Sequence, residues 1–155
     1  MPTVNPVINN VYEATDKFLK YLRDISKRGI KYKVRKVIKE NNARHRLIIV
    51  EEWRGKWKAR TIKFYLIYVR KWFETFSKYF NINSLGTSIR LDILERLYKT
   101  DVDYIVIIHK TDGIFLIKTD DFYLLAINNN WIRTPEKTGE TLANIPIEYL
   151  THVGR

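Results

Sequence analysis

Apolar residues recur at helical spacing at the start of the chain, and the pattern then switches to alternation. Val11, Ala14, Phe18, Leu22 and Ile25 mark one face of an α-helix. Asn10 stands at the N-cap position, Glu13 completes a capping box, and Gly29 after Lys27-Arg28 reads as a C-terminal stop. From residue 31 the period becomes two, with Lys31, Lys33 and Arg35 alternating with Tyr32 and Val34. The pattern predicts strands over about 31–40, 45–53 and 57–64, with turns at Asn41-Asn42 and Arg54-Gly55-Lys56. The first is apolar on one face only, as an edge or half-exposed strand is. The second is apolar on both faces at Leu47-Ile48-Ile49-Val50, as a strand covered on both sides is.

Tyr65, Val69, Trp72, Phe73, Phe76 and Phe80 fit the inward stripe of a helix over 65–80, broken by Asn81 to Gly86. Leu91, Leu94 and Leu97-Tyr98 fit a second over 88–99. Residues 103–108 and 114–117 read as a hairpin across Lys110-Thr111-Asp112-Gly113, since Asp-Gly is a strong turn signal. Thr119 is expected to cap a short helix to about Ala126, with Asp120 and Asp121 complementing its dipole. Ile145-Pro146-Ile147 ends a last strand, and Pro146 opens a final helical turn. The elements sum to an α+β fold, a mixed β-sheet covered by helices, and a chain of 155 residues favours a single domain over 1–155.

Charge narrows the function. The formal net charge is +11, from 28 Lys and Arg against 17 acids. Such an excess favours anionic partners, nucleic acid first and an anionic membrane surface second. The bland alternative is that the charge only keeps the protein soluble. The chain has no cysteine, which excludes disulfides, thiolate zinc sites and cysteine nucleophiles and suits a reducing cytoplasm. No apolar run approaches the length of a membrane span, and residues 1–6 lack the apolar core of a signal peptide. Scarce Cys and Met beside abundant Ile, Lys, Tyr and Glu fit a thermophile.

The cations gather in one region. Lys31, Lys33, Arg35, Arg44, Arg46, Lys56, Lys58 and Arg60 form the candidate binding set, and Arg54, Lys56, Lys58 and Arg60 surround Trp53 and Trp57. Side chains on one face of a strand recur every 6.6 Å or so, a pitch suited to a polyanion backbone. Lys and Arg would neutralise phosphates while Tyr32, Trp53 and Trp57 stack on bases or sugars. The competing reading makes Trp53 and Trp57 a cross-strand pair and the cations a guard on an edge strand.

Metal-dependent phosphodiester hydrolysis needs two or three acids around Mg²⁺, with a lysine nearby. Asp92 and Glu95 share a helix face, and Asp101 and Asp103 share a strand face downstream. The best catalytic set is Asp103 with Asp92 or Glu95 and Lys118 as the cation, with Asp103 and Glu95 as metal ligands. Each acid has a structural alternative, a solvated carboxylate or a partner for Lys or Arg. His45, His109 and His152 do not offer zinc spacing. Glycine-rich phosphate loops and the GxSxG elbow are absent.

The stretch from Asp103 through Ile114-Phe115-Leu116-Ile117-Lys118 to Phe122 resembles a hairpin of small PD-(D/E)xK-type nucleases, among them restriction-endonuclease-like resolvases and compact homing endonucleases. Arg46 to Val50, followed by Gly55-Lys56 and Thr61-Ile62-Lys63, also resembles their catalytic hairpin. The family pattern is an acid opening one strand and Glu, Asp or Gln two residues before Lys in the next. Here Arg46 stands at the acid position and Thr61 at the Glu position, with only Lys63 matching. In the later hairpin Asp103 matches, and Leu116 precedes Lys118. The resemblance implies a restriction-endonuclease-like scaffold, DNA rather than RNA as partner, and either a Mg²⁺-dependent nuclease or a relative without its metal site. The other class is a non-catalytic structural or protein-interaction module.

Overall fold

The computed structural model describes residues 7–155, so the expectations drawn from residues 1–6 lie outside the described residues. The chain runs through α1 (Val11–Ile25), β1 (Ile30–Lys39), β2 (His45–Arg54), β3 (Trp57–Val69), α2 (Thr75–Tyr79), β4 (Gly86–Arg90), α3 (Leu91–Lys99), β5 (Tyr104–His109), β6 (Gly113–Lys118), α4 (Thr119–Asn128), β7 (Ile132–Arg133), β8 (Leu142–Pro146), a 3₁₀ turn (Ile147–Tyr149) and β9 (Thr151–Gly154). This is an α+β protein with a mixed sheet. Its described residues pack as two units: residues 7–70 with Tyr104–Leu116 and His152–Arg155, and Lys71–Asp103 with Ile117–Thr151. Length alone favours a single domain; both units are assembled from separated stretches, which no break in composition marks.

In the first unit β1, β2 and β3 form an antiparallel meander, and β3 pairs in parallel with β5, in a sheet of order β1-β2-β3-β5-β6-β9. One face is closed by α1. Val11, Ala14, Phe18 and Leu22 pack with Ile48, Val50, Ile62, Phe64, Leu66 and Tyr68, and Phe18 meets Phe64 edge-on at 5.0 Å. The helix starts as expected: Asn10 Oδ1 accepts from Glu13 N (2.9 Å) and Glu13 Oε2 from Asn9 N (2.7 Å). It ends earlier than Gly29 implied. Ser26 is the C-cap, its hydroxyl donating to Leu22 O and accepting from Tyr32 N.

The helix expected over 65–80 is corrected. Residues 65–69 continue β3, and only the five residues Thr75–Tyr79 are helical. Phe64 to Val69 are buried in succession because β3 lies between β2 and β5 with both faces covered. Such a strand reads as an unbroken apolar run, which periodicity alone does not separate from a helix.

In the second unit β4, β8 and β7 form a three-stranded sheet. Phe76, Leu94, Leu97, Phe122, Ala126 and Ile145 are buried in this unit, and Phe76 meets Trp131 edge-on at 5.3 Å. Gly86 is required by close approach: a Cβ there would sit 2.4 Å from the Phe76 ring and 2.6 Å from Ile145 O. The helix expected over 88–99 starts at Leu91, because Ser88–Arg90 pair with β8. Thr119 does not cap α4. It is the first helical residue, wholly buried, and its hydroxyl finds no partner among the described residues. Pro146 does precede a helical turn, but the last strand is β9.

The turn between β5 and β6 depends on a neutral imidazole. Thr111 N (3.1 Å) and Asp112 N (3.0 Å) both donate to Nδ1 of buried His109. A protonated Nδ1 cannot accept them. Burial holds His109 below its ordinary pKa, and the Asp112 carboxylate opposes this more weakly. With the folded value below the unfolded one, the unfolded chain takes the proton first. Stability is therefore constant above roughly pH 6.5 and declines as pH falls through and below it. Amide exchange at Thr111 and Asp112, corrected for intrinsic rate, should accelerate from pH 7.5 to 5.5. Equal protection at both values would contradict the neutral-acceptor role.

Candidate nucleic-acid interface

Strand register sorts the cations. Val34, Val50 and Ile62 lie side by side across β1, β2 and β3, and the last two point into the α1 core. Their neighbours in sequence point to the other face. That face holds three cross-strand rows: Lys31, Trp53 and Lys58; Lys33, Glu51 and Thr61; Lys36, Ile49 and Lys63. Rows are spaced roughly 6.6 Å along a strand and strands roughly 4.8 Å apart.

Trp53 and Glu51 organise the centre. Lys33 Nζ lies 4.6 Å from the centre of the Trp53 ring, and Trp53 Nε1 donates to Glu51 Oε1 (3.2 Å). Glu51 Oε2 receives Lys58 Nζ (3.3 Å) and Arg35 Nε (3.6 Å). The indole N–H first, then Lys58 and Arg35, hold the Glu51 carboxyl below its usual range. Lys31, Lys33 and Lys36 are exposed and form no ion pair among the described residues.

Two register shifts decide what reaches this face. The first, between Val34 and Lys36, places Arg35 in a bulge and turns Lys36 onto the open face. Plain alternation misses Lys36 for that reason. The second, between Glu52 and Trp53, leaves Ala59 without a partner and turns Lys58 onto the open face, while the two-residue turn pairs Trp53 with Lys58 and Trp57 with Arg54 on the α1 side. Trp53 and Trp57 are thus not cross-strand partners. Trp57 is 80% exposed beside the β2–β3 turn, where Gly55 has φ +61° at the first turn position, as a type II′ turn requires. Lys56 is exposed in the same turn.

Other sequence candidates lie elsewhere. Arg60 and Arg54 turn to the α1 side, where both bind the buried Glu52 (3.3 and 3.4 Å). Arg46 is buried at the far end of β2, donating from Nη1 to His45 O (2.7 Å) and Ala43 O (3.2 Å). Arg44 is exposed in the turn before it.

The acids of the catalytic set lie in the second unit. Asp103 and Lys118 sit at the same end of the β5–β6 hairpin, since Thr119 N donates to Asp103 O (3.1 Å). Both are exposed. Asp92 is held by Arg90 through two hydrogen bonds (2.7 and 3.1 Å) and accepts from Ile93 N. Glu95 is half-buried on α3. Among the described residues no three acidic or histidine side chains gather at metal-binding distance. Among the described residues no helix is long and apolar enough to cross a membrane.

No family model, curated protein or solved structure matches the chain.

Proposed function

We propose that the protein binds nucleic acid, DNA before RNA, across the open face of β1–β3, with Trp57, on the Arg54 side of the adjoining turn, reaching a base or sugar where the strand passes round that turn. The observation that carries this reading is the open face itself, on which Lys31, Lys33, Lys36, Lys58 and Lys63 surround a single carboxylate, Glu51. A phosphodiester chain lying on such a lattice releases counterions, so affinity falls steeply with salt. Trp57 is unusual in leaving most of an indole in water. Beside the exposed turn residue Lys56, such an indole offers a stacking surface for a base.

Fluorescence anisotropy with a labelled duplex tests the reading. Binding should weaken log-linearly with salt and be indifferent to EDTA. Absence of binding at low salt, or a flat salt response, would overturn it. Trp57→Ala should weaken single-strand binding by roughly 5- to 100-fold, in line with stacking of one base, and leave the melting temperature unchanged. An unaltered single-strand affinity would remove Trp57 from the interface.

The nuclease reading stands second and rests on Asp103 and Lys118 sharing one end of a hairpin. It requires plasmid cleavage with Mg²⁺ or Mn²⁺ that Asp103→Ala abolishes without unfolding the protein.

A further inference from the structure

A second positive site lies in the first unit, around the buried Arg46. A pocket of about 480 Å³ is lined by Tyr12, Lys39, Glu40, Arg44, Arg46 and Arg70, among others. Three of the four cations are exposed at its rim, and Arg46 is only 5% exposed. Each comes from a different position in the fold: the end of β1, the β1–β2 turn, the start of β2 and the end of β3.

Arg46 is the anomaly. A guanidinium stays ionised at any physiological pH, and a buried charge is normally matched by an opposite one. Arg46 instead donates to two carbonyls, of Ala43 and His45, and its Cζ lies 5.4 Å from the centre of the Tyr12 ring. Lys39 Nζ approaches the same ring at 5.7 Å. No ion pair of Arg46 is formed among the described residues, and none of residues 1–6 is acidic. The first turn of α1 also borders the pocket, but its Glu13 amide is already capped by Asn10. The positive character of the pocket therefore comes from the cations rather than from the helix end.

We propose that this pocket binds a phosphate group, with Arg46 as its fixed floor and Arg44, Arg70 and Lys39 closing on it from the rim. Phosphate fits because its several acceptor oxygens can engage planar guanidinium forks from different directions, and its double charge supplies the missing counter-ion. The site is on the α1 side of the start of β2, so it stands independently of the open-face interface.

Calorimetric titration of the full chain with inorganic phosphate, against sodium chloride at equal ionic strength, tests this. Phosphate should bind and raise the melting temperature where chloride does not. Arg46 variants risk unfolding, so the diagnostic variants are the exposed Arg44→Gln and Arg70→Gln. Each should weaken phosphate binding about tenfold, the loss expected for one charged hydrogen-bonding partner, and leave the ligand-free melting temperature unchanged. Equal response to phosphate and chloride, or phosphate binding unaltered in the double variant, overturns the proposal. Oligonucleotides with a 5′-phosphate or a 5′-hydroxyl separate the sources. Tighter binding of the phosphorylated end, lost in the double variant, identifies a nucleic-acid terminus. Equal binding of the two ends, with inorganic phosphate still bound, identifies a free phosphate or nucleotide.

Discussion

Replacing Lys31, Lys33 and Lys36 together by glutamine should lower affinity for duplex DNA on the order of a hundredfold at 0.1 M salt. Each cation that neutralises a phosphate contributes a slope of about 0.9 to the dependence of log affinity on log salt concentration, or nearly tenfold in affinity between 1 M and 0.1 M salt. Three such contacts multiply to several hundredfold, and partial engagement brings this toward a hundredfold. The salt slope itself should drop by roughly 2 to 3. All three side chains are exposed on an edge strand, so folding should change little. Arg60→Gln is the matched control. It removes one positive charge from the same meander, but its guanidinium is held by Glu52 on the α1 side. Its slope should stay near that of the wild type. A triple variant with an unchanged slope would remove the open face from the binding surface.

Phe18→Ala should cost about 3–5 kcal/mol in stability, the range for a fully buried phenylalanine. Phe18 has no exposed surface and stands at the centre of the α1–sheet contact, against Phe64 at 5.0 Å and Tyr21 at 6.0 Å. The sheet relaxes little into the space, because its hydrogen-bonded strands hold its backbone in place while Ile48, Val50, Phe64 and Leu66 still pack around the site. Against a total of roughly 5–15 kcal/mol for a typical domain, the loss is a large fraction. DNA binding should disappear with the fold, since the open face is the reverse of these same strands. Denaturant melts measure the effect. A loss below about 1 kcal/mol would show that Phe18 does not anchor this core.

Much of the first unit is legible in the sequence. The α1 stripe, its Asn10 cap, the three-strand meander and the half-exposed β1 all follow from local period and turn chemistry. The 103–118 hairpin is equally local. The error at 65–80 has one cause: an apolar run long enough for either element, whose identity depends on neighbours distant in the chain. β5, forty residues on, supplies the second set of hydrogen bonds that makes residues 64–69 a strand.

The functional surface divides along the same line. Sequence by itself determined that this protein is strongly basic, that its cations crowd one meander, and that aromatic rings sit among them. It also determined the apolar faces, because side chains alternate along a strand whatever its partners. Only the tertiary structure decided which cations face outward. Two one-residue register shifts turn Lys36 and Lys58 onto the open face, the two-residue turn pairs Trp57 with Arg54 rather than Trp53, and burial commits Glu52 to Arg54 and Arg60 and leaves Arg46 beneath a pocket. The physical reason is that charge is a property of each residue, whereas a charge's partner and its exposure are set by pairing between strands. A slip of one residue there reverses the face.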